Sequence, residues 1–342
     1  MIDNPKTWLI VGGLILGAIF GAVVRQQRMC LVNAVSNVSL VRDYRYLLGF
    51  ALAMLIAITG TQLLEMADIV AVQQASYRDA RLDWLGVILG GLLFGIGATY
   101  AGGDAARVVI LAGQGDKAGW IAVFFFAIFA SVAQFGLLEK ARVYLLLHSS
   151  MNLTGGDAGL AAISGAPKWL VLVIVDVLLL GFIVSKFKQH AQTKILIAGA
   201  LLGLSVIGAW YTTGVLAQDE FEPVKPSGMT VSGPMSRIGN MFVSGDYPAL
   251  SFSISFVIGL IAVSFLLALL TGKFRFSPVK GSAAHIAFGG ALMGIGGTFA
   301  YGCNIGQGFT GLSTLSLESV LAVISMIAGI HLATKFMEKH TQ

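Results

Sequence analysis

The sequence predicts an all-α polytopic membrane protein: about nine transmembrane helices in two inverted-topology repeats with re-entrant hairpins. Apolar residues make up 56% of the 342-residue chain and charged residues 11%, and apolar runs of roughly 18 residues or more recur, the length a helix needs to cross a bilayer. Lys and Arg collect in the short connections between those runs. Residues 90–104 (GGLLFGIGATYAGGD) return as residues 289–303 (GGALMGIGGTFAYGC), an offset of 199 at which nine of fifteen positions agree. Self-similarity of this kind marks a duplication, and membrane helices broken at matching places in two halves point to a transport site.

Hydropathy places the spans at 7–24, 46–66, 85–100, 118–136, 168–186, 193–217, 251–271, 283–300 and 317–335. The first follows Lys6 without an A-x-A cleavage site, so it reads as a retained helix rather than a signal peptide. Four stretches, 25–37, 101–115, 232–245 and 302–313, are too polar or glycine-rich for a continuous span and too apolar for ordinary loops. They read as re-entrant hairpins, which a bilayer tolerates only where protein or a wet cavity surrounds them.

Positive charge sets the orientation. Arg42 and Arg45, then Lys186, Lys188 and Lys194, then Lys273, Arg275 and Lys280, then Lys335 and Lys339 all fall on one side of a nine-span arrangement. That side is cytoplasmic, which puts the N-terminus outside and the C-terminus inside a bacterial inner membrane. Segment 67–83 and the acidic loop with Asp219, Glu220 and Glu222 then face outward, Arg78 and Arg81 being exceptions to the charge bias. The helix leading to Asp104 runs inward and the one leading to Cys303 runs outward, so the repeat is inverted. Residues 1–150 form the first repeat, with helices one to four and two hairpins; 151–192 carry the connector helix; 193–342 form the second repeat, with helices six to nine and two hairpins.

The net charge of +5 belongs to these connections, and nucleic-acid binding is excluded on that ground. No Cys-x-x-Cys, histidine cluster or cofactor motif is present, so the sequence predicts no metal, no cofactor and no enzyme. The lipid bilayer is a partner by composition. Cys30 and Cys303 both lie in the broken segments and neither in the helical bulk. Asp104 stands three residues before Arg107, which suits an i,i+3 ion pair, a protonated carboxyl being the alternative. Arg28 and Arg237 occupy hairpins in opposite halves, placed either to attract anions at two vestibules or to anchor at the interface. Asp176, near the middle of the connector helix, reads as a hydrogen-bonded packing residue.

The motifs Arg25-Gln-Gln-Arg-Met-Cys30, the Gly-Gly break, Ser236-Arg-Ile-Gly239 and Tyr301-Gly-Cys-Asn-Ile-Gly-Gln-Gly308 resemble those of the YeeE/YedE family of sulphur-compound transporters, over nearly the whole chain. The resemblance implies uptake of thiosulfate or a related small sulphur-containing anion, passed along cysteines in the central hairpins. Cys30 and Cys303 match two of the family's pathway cysteines, and Asp104 stands where the third is expected. Half-helix N-termini favour an oxyanion without fixed full charges, a thiol is a weak donor suited to a soft sulphur anion, and Asn304 and Gln307 offer amide donors. Two other readings stay open: a channel for another small anion or neutral solute, and a thiol relay to a cytoplasmic sulphur carrier protein.

Overall fold

Each long apolar run folds as a helix in the computed structural model, which describes residues 4–153, 156–219, 224–245, 247–279 and 281–341. Glu220, Glu222 and Lys280 of the charge argument lie outside the described residues. In chain order the helices are α1 (Pro5–Gln27), α2 (Leu31–Val41), α3 (Arg45–Met66), α4 (Trp84–Tyr100), α5 (Ala105–Gly113), α6 (Lys117–Phe135), α7 (Glu139–Ser149), α8 (Leu160–Ser164), α9 (Lys168–His190), α10 (Thr193–Tyr211), α11 (Ser232–Ser244), α12 (Phe252–Leu270), α13 (Ala283–Phe299) and α14 (Leu317–Thr341). Wide-turned segments follow at Thr212–Leu216 and Gly306–Gly311. The nine expected spans correspond to α1, α3, α4, α6, α9, α10, α12, α13 and α14. With α2 counted into the first and α5 into the third, eight of the apolar stretches measure 19 to 37 residues, and α13 has 17. The protein is a multi-pass membrane protein.

Polar side chains start these helices where an apolar run has no partner for its first N–H groups. Asn4 accepts from Lys6 N at 3.0 Å with Pro5 next to it, Asp83 from Gly86 N at 3.1 Å, and Asp116 from Ala118 N at 2.8 Å. Small residues then set how the helices approach. Gly13, Gly17 and Gly21 of α1 lie against Phe252, Phe256 and Leu260 of α12 in that order, so the two run parallel. Parallel contacts also join α3 to α10 (Gly49 to Ile195, Gly60 to Ile207), α4 to α14 (Gly91 to Ala322, Gly95 to Met326) and α13 to α6 (Gly290 to Ala122, Gly294 to Phe126). The helices α4 and α13 cross antiparallel, Gly90 meeting Gly296 and Gly97 meeting Gly289. Antiparallel too are α3 and α9, where Thr59 Oγ1 donates to Asp176 Oδ2 at 3.0 Å and Leu48 and Ala51 cluster with Ile183. All of these directions are the ones that nine successive crossings require.

The four breaks each hold a short helical segment, α2, α5, α11 and Gly306–Gly311, and an abrupt turn precedes the first, second and fourth. Arg28 takes a left-handed φ of 53° between α1 and α2. The twin breaks share one backbone plan. Ala101 N donates to Gly97 O, Gly102 N to Thr99 O and Gly103 N to Ala98 O, at 2.8, 3.2 and 2.9 Å; the bonds Ala300–Gly296, Tyr301–Thr298 and Gly302–Gly297 repeat them at 2.9, 3.2 and 2.9 Å. Gly102 and Tyr301 hold the left-handed step of each turn, with φ of 80° and 54°. Glycine adopts that conformation without strain and tyrosine does not, so the second break costs more to form than the first.

Outside the spans the structure holds what hydropathy had no means to see. Strand β1 (Arg81–Asp83) pairs antiparallel with β2 (Ser150–Asn152), tying the segment after α3 to the one after α7. The Arg78 side chain is 3% exposed and pairs with Asp157, lies 3.6 Å from Glu65 Oε2 and donates to Thr314 O at 2.8 Å. Lys168 Nζ at the start of α9 joins the same Glu65 at 2.8 Å. Arg78 therefore departs from the charge bias for a local reason: it is a buried cross-link. Burial acts against charge on Asp157, but its bonds from Arg78 and from Gly159 N outweigh that and hold its carboxyl below the ordinary value.

Candidate functional site

Three residues with reactive or ionisable side chains stand at the first position of a helical segment, each behind one of these turns. Cys30 precedes α2, and Ala34 N returns to Cys30 O at 3.0 Å; Asp104 precedes α5, and Val108 N returns to Asp104 O at 3.0 Å; Cys303 precedes the segment Gly306–Gly311, and Gln307 N returns to Cys303 O at 2.8 Å. The starts of α2 and α5 face each other and exchange bonds. Leu31 N donates to Asp104 Oδ2 at 2.7 Å, while Asp104 N donates to Cys30 Sγ at 3.3 Å. Arg107 N completes the cap of α5 on Asp104 Oδ1 at 3.1 Å. From the twin motif, Asn304 Nδ2 reaches Asp104 Oδ2 at 3.1 Å. The two breaks, 199 residues apart in sequence, thus meet side chain to side chain.

Asp104 is 2% exposed, and its carboxyl accepts N–H bonds from Leu31, Arg107 and Asn304 with the Cys30 thiol beside it. Two of these donors are main-chain groups at helix N-termini, where the aligned peptide dipoles favour negative charge. The i,i+3 ion pair expected of Arg107 does not form: Arg107 serves through its main chain, and its side chain is among those lining a neighbouring cavity. Cys30 and Cys303 are both free thiols with no exposed surface. Asn304, beside Cys303 in the chain, borders an apolar cavity of about 240 Å³ together with Leu31 and Phe50.

Polar cavities lie near both ends of the helices that carry this group. On one face, a recess of about 500 Å³ is lined by Tyr77, Asp79, Arg81, Tyr301 and Glu318. Tyr301 also borders a second recess of about 370 Å³ that holds Gln134, Ser236 and Arg237. Tyr77, Asp79 and Arg81 lead into α4, Glu318 opens α14, Tyr301 follows α13 and Gln134 is near the end of α6, helix ends that alternating spans put on one side; Ser236 and Arg237 are on α11. On the other face a cavity of about 780 Å³ is lined by Arg25, Arg28, Arg107 and Lys273, with Asp116 as its carboxylate. It lies between the ends of α1 and α12 and the start of α6. Arg28 and Arg237 therefore sit at opposite mouths.

Gln307 takes a different part from the amide donor expected of it. Its Nε2 donates to Ala300 O at 2.8 Å and to Glu318 Oε1 at 3.0 Å, and its Oε1 accepts from Ser319 Oγ at 2.6 Å. Both amide ends are engaged, so Gln307 braces the second break against α14. Glu318 and Tyr77 were not picked out from the sequence. Glu318 is 7% exposed, opens α14 and faces the 500 Å³ recess. An acidic residue in the first turn of an apolar span was the available signal, but it reads equally as a helix-dipole partner. Burial pushes the Tyr77 phenol above its ordinary value, so it meets the recess as a neutral hydroxyl.

Comparison with known proteins places this arrangement in context. A family model described as sulphur transport matches residues 26–332. The chain is similar to the thiosulfate transporter TsuA of Escherichia coli (strain K12), 24% identical over 95% of this chain and 94% of that protein. It is likewise similar to the thiosulfate transporter TsuA of Spirochaeta thermophila, 27% identical over 94% of this chain and 97% of the relative.

Proposed function

The chain belongs to the sulphur transport family, and from that premise we propose that it takes up thiosulfate or a related small sulphur-containing anion across a bacterial inner membrane, N-terminus outside and C-terminus inside. Both relatives carry the name thiosulfate transporter and are covered almost from end to end. The observation that carries the reading is the meeting of the two breaks, where Asp104 N donates to Cys30 Sγ and Asn304 Nδ2 donates to Asp104 Oδ2; we read Cys30, Asp104, Asn304 and Cys303 as a partition between the recess at Glu318 and the cavity at Arg107. The anion enters at the mouth holding Tyr301 and Arg237, passes the two thiols, and leaves through the mouth holding Arg28 and Arg107. The arginines at the two mouths attract the anion and, among the described residues, no cation lines the thiols between them, so it is held weakly enough for release.

An inverted duplication supports this route. The α1–α12 contact has its counterpart in α10–α3, and α6–α13 in α14–α4, while α4 and α13 pair with each other. Residues 1–150 and 193–342 then form the two halves, with α9 as a connector applied to α3 from outside. Transport rather than catalysis is the activity of such a route.

The test is initial uptake of [35S]thiosulfate into proteoliposomes of the purified protein, with and without an imposed proton gradient. Uptake above protein-free vesicles that follows the gradient supports a coupled transporter. Equal flux in both conditions, scaling only with concentration, would favour a channel, and no flux would remove the proposal.

A further inference from the structure

Resting on that route, we infer that the 780 Å³ cavity is a binding site in its own right for a doubly charged oxyanion, distinct from the thiol-bearing partition. Four cationic side chains line it, Arg25, Arg28, Arg107 and Lys273, against the single carboxylate of Asp116. That carboxylate is already committed, since Asp116 Oδ1 caps α6 through Ala118 N at 2.8 Å and Gly119 N at 3.3 Å. None of the four cations forms an ion pair among the described residues. Like charges gathered in a recess repel one another and raise the local concentration of counter-anions.

A second observation points the same way. The Nε atoms of Arg25 and Arg107 are shut off from solvent and donate to nothing among the described residues. Arg25 spends one terminal nitrogen on Thr271 Oγ1 at 3.4 Å, a long bond that leaves most of its donors free. Buried donors without acceptors are costly; the Nε atoms have no surface open to the cavity, and it is the terminal nitrogens of the same two guanidinium groups that would meet an oxyanion in the forked geometry they match. Gln26, Gln114 and Thr271 add neutral polar groups to the lining. Arg107 lies one turn beyond Asp104 on α5. An anion held there rests beside the partition, and the cations around it offset the carboxylate that the route must pass. A divalent anion gains roughly twice the attraction of a monovalent one, so this mouth selects by charge where the thiols select by softness.

A phospholipid phosphate shares this chemistry, and the experiment separates the two sources. Equilibrium binding of [35S]thiosulfate is measured on the full chain in nanodiscs of phosphatidylcholine, for the parent, for Arg25→Gln/Arg107→Gln and for Lys273→Gln. The double variant is expected to bind about tenfold more weakly and Lys273→Gln about threefold. Sulfate should compete well and monovalent thiocyanate poorly, and added salt should weaken the parent more than the double variant. Melting temperature monitors folding, and Lys273, exposed at the rim, keeps the test open if the double variant unfolds. Parent-like binding by the Lys273 variant and by a folded double variant overturns the inference. So do equal competition by sulfate and thiocyanate and loss of binding when phosphatidylglycerol replaces part of the lipid, which would make the cavity a lipid seat. If the parent binds in the expected pattern while proteoliposomes show no uptake, the transport reading fails and the site stands; uptake with unaltered variant binding gives the reverse.

Discussion

Asp104 caps a helix that is not its own: its Oδ2 accepts the main-chain N–H of Leu31, 73 residues earlier, at 2.7 Å. Through that bond the start of α2 is fixed to the start of α5, and through Asn304 the second twin motif is fixed to both. A family cysteine is expected at this position, and the equivalent residue of the twin, Cys303, is one. The backbone frame around Asp104 and Cys303 is the same, so a thiol fits where the carboxyl stands.

Asp104→Asn replaces a group that accepts three N–H bonds with one that presents a donor to at least one of them. It should lower stability by about 1–3 kcal/mol, read as a fall in melting temperature in detergent. Asp104→Cys removes the carboxylate from the anion's path while keeping a side chain the frame accommodates, and its initial rate of thiosulfate uptake should exceed the parent's. Equal stability and equal rates in parent and both variants would place Asp104 outside the route.

The crossing of α4 and α13 depends on paired glycines. A side-chain carbon at Gly97 would stand 2.6 Å from Gly289 O, and one at Gly296 would stand 2.6 Å from Gly90 O, main-chain atoms that cannot swing aside. Gly97→Ala and Gly296→Ala should each cost about 1–3 kcal/mol. Gly181→Ala on α9, where nothing lies within 4 Å, should be neutral or gain about 1 kcal/mol from helix propensity. Thermal unfolding of the three variants decides it, and equal melting temperatures in all three would show that the crossing does not depend on these glycines.

The buried cross-link at Arg78 has a pH signature. Asp157 has its carboxyl held below the ordinary value by Arg78 and Gly159 against the opposing effect of burial. Its contribution to stability is therefore fully present above the unfolded carboxyl value of about 4 and is lost as pH falls through the lower folded value. Melting temperature should drop below about pH 4 in the parent. Asp157→Asn should be less stable at neutral pH, by about 1–3 kcal/mol where the buried Arg78 loses its two-pronged partner and keeps only Glu65 as a countercharge, and its acid slope should be shallower. A parent and variant with parallel pH profiles would remove Asp157 from the account.

Much of this was legible before any coordinates. Runs of apolar residues locate spans because each span must be apolar by itself, and the twin motif announces its two breaks because duplication preserved the glycines. What the sequence hides is whatever depends on a second segment. Nothing near Leu31 indicates that its N–H is capped from residue 104, and nothing near Arg78 indicates Glu65 or Asp157. The i,i+3 spacing of Asp104 and Arg107 suggests a side-chain pair, yet the N-cap conformation of Asp104, with φ of −73° and ψ of 178°, aims the carboxyl at the main chain instead. Gln307 looked free because its partners Glu318 and Ser319 begin the next helix, across a turn.

The charge clusters and an odd number of crossings together predict the orientation. A reporter fused after the C-terminus should give a cytoplasmic signal and one fused before Pro5 a periplasmic signal. The same sign at both ends would contradict nine crossings and the inverted repeat together.

The central claim is that the anion passes the thiols of the partition, and Cys303→Ala tests it most directly. The side chain is fully buried but small, so its removal should cost about 1 kcal/mol and leave the protein folded. With parent and variant reconstituted at equal abundance, initial [35S]thiosulfate uptake should fall at least about tenfold in Cys303→Ala, an effect of about 1.4 kcal/mol or more on the transport barrier, and by less in Cys30→Ala. Uptake by a folded Cys303→Ala protein at the parent's rate would reduce that thiol to packing and contradict the route.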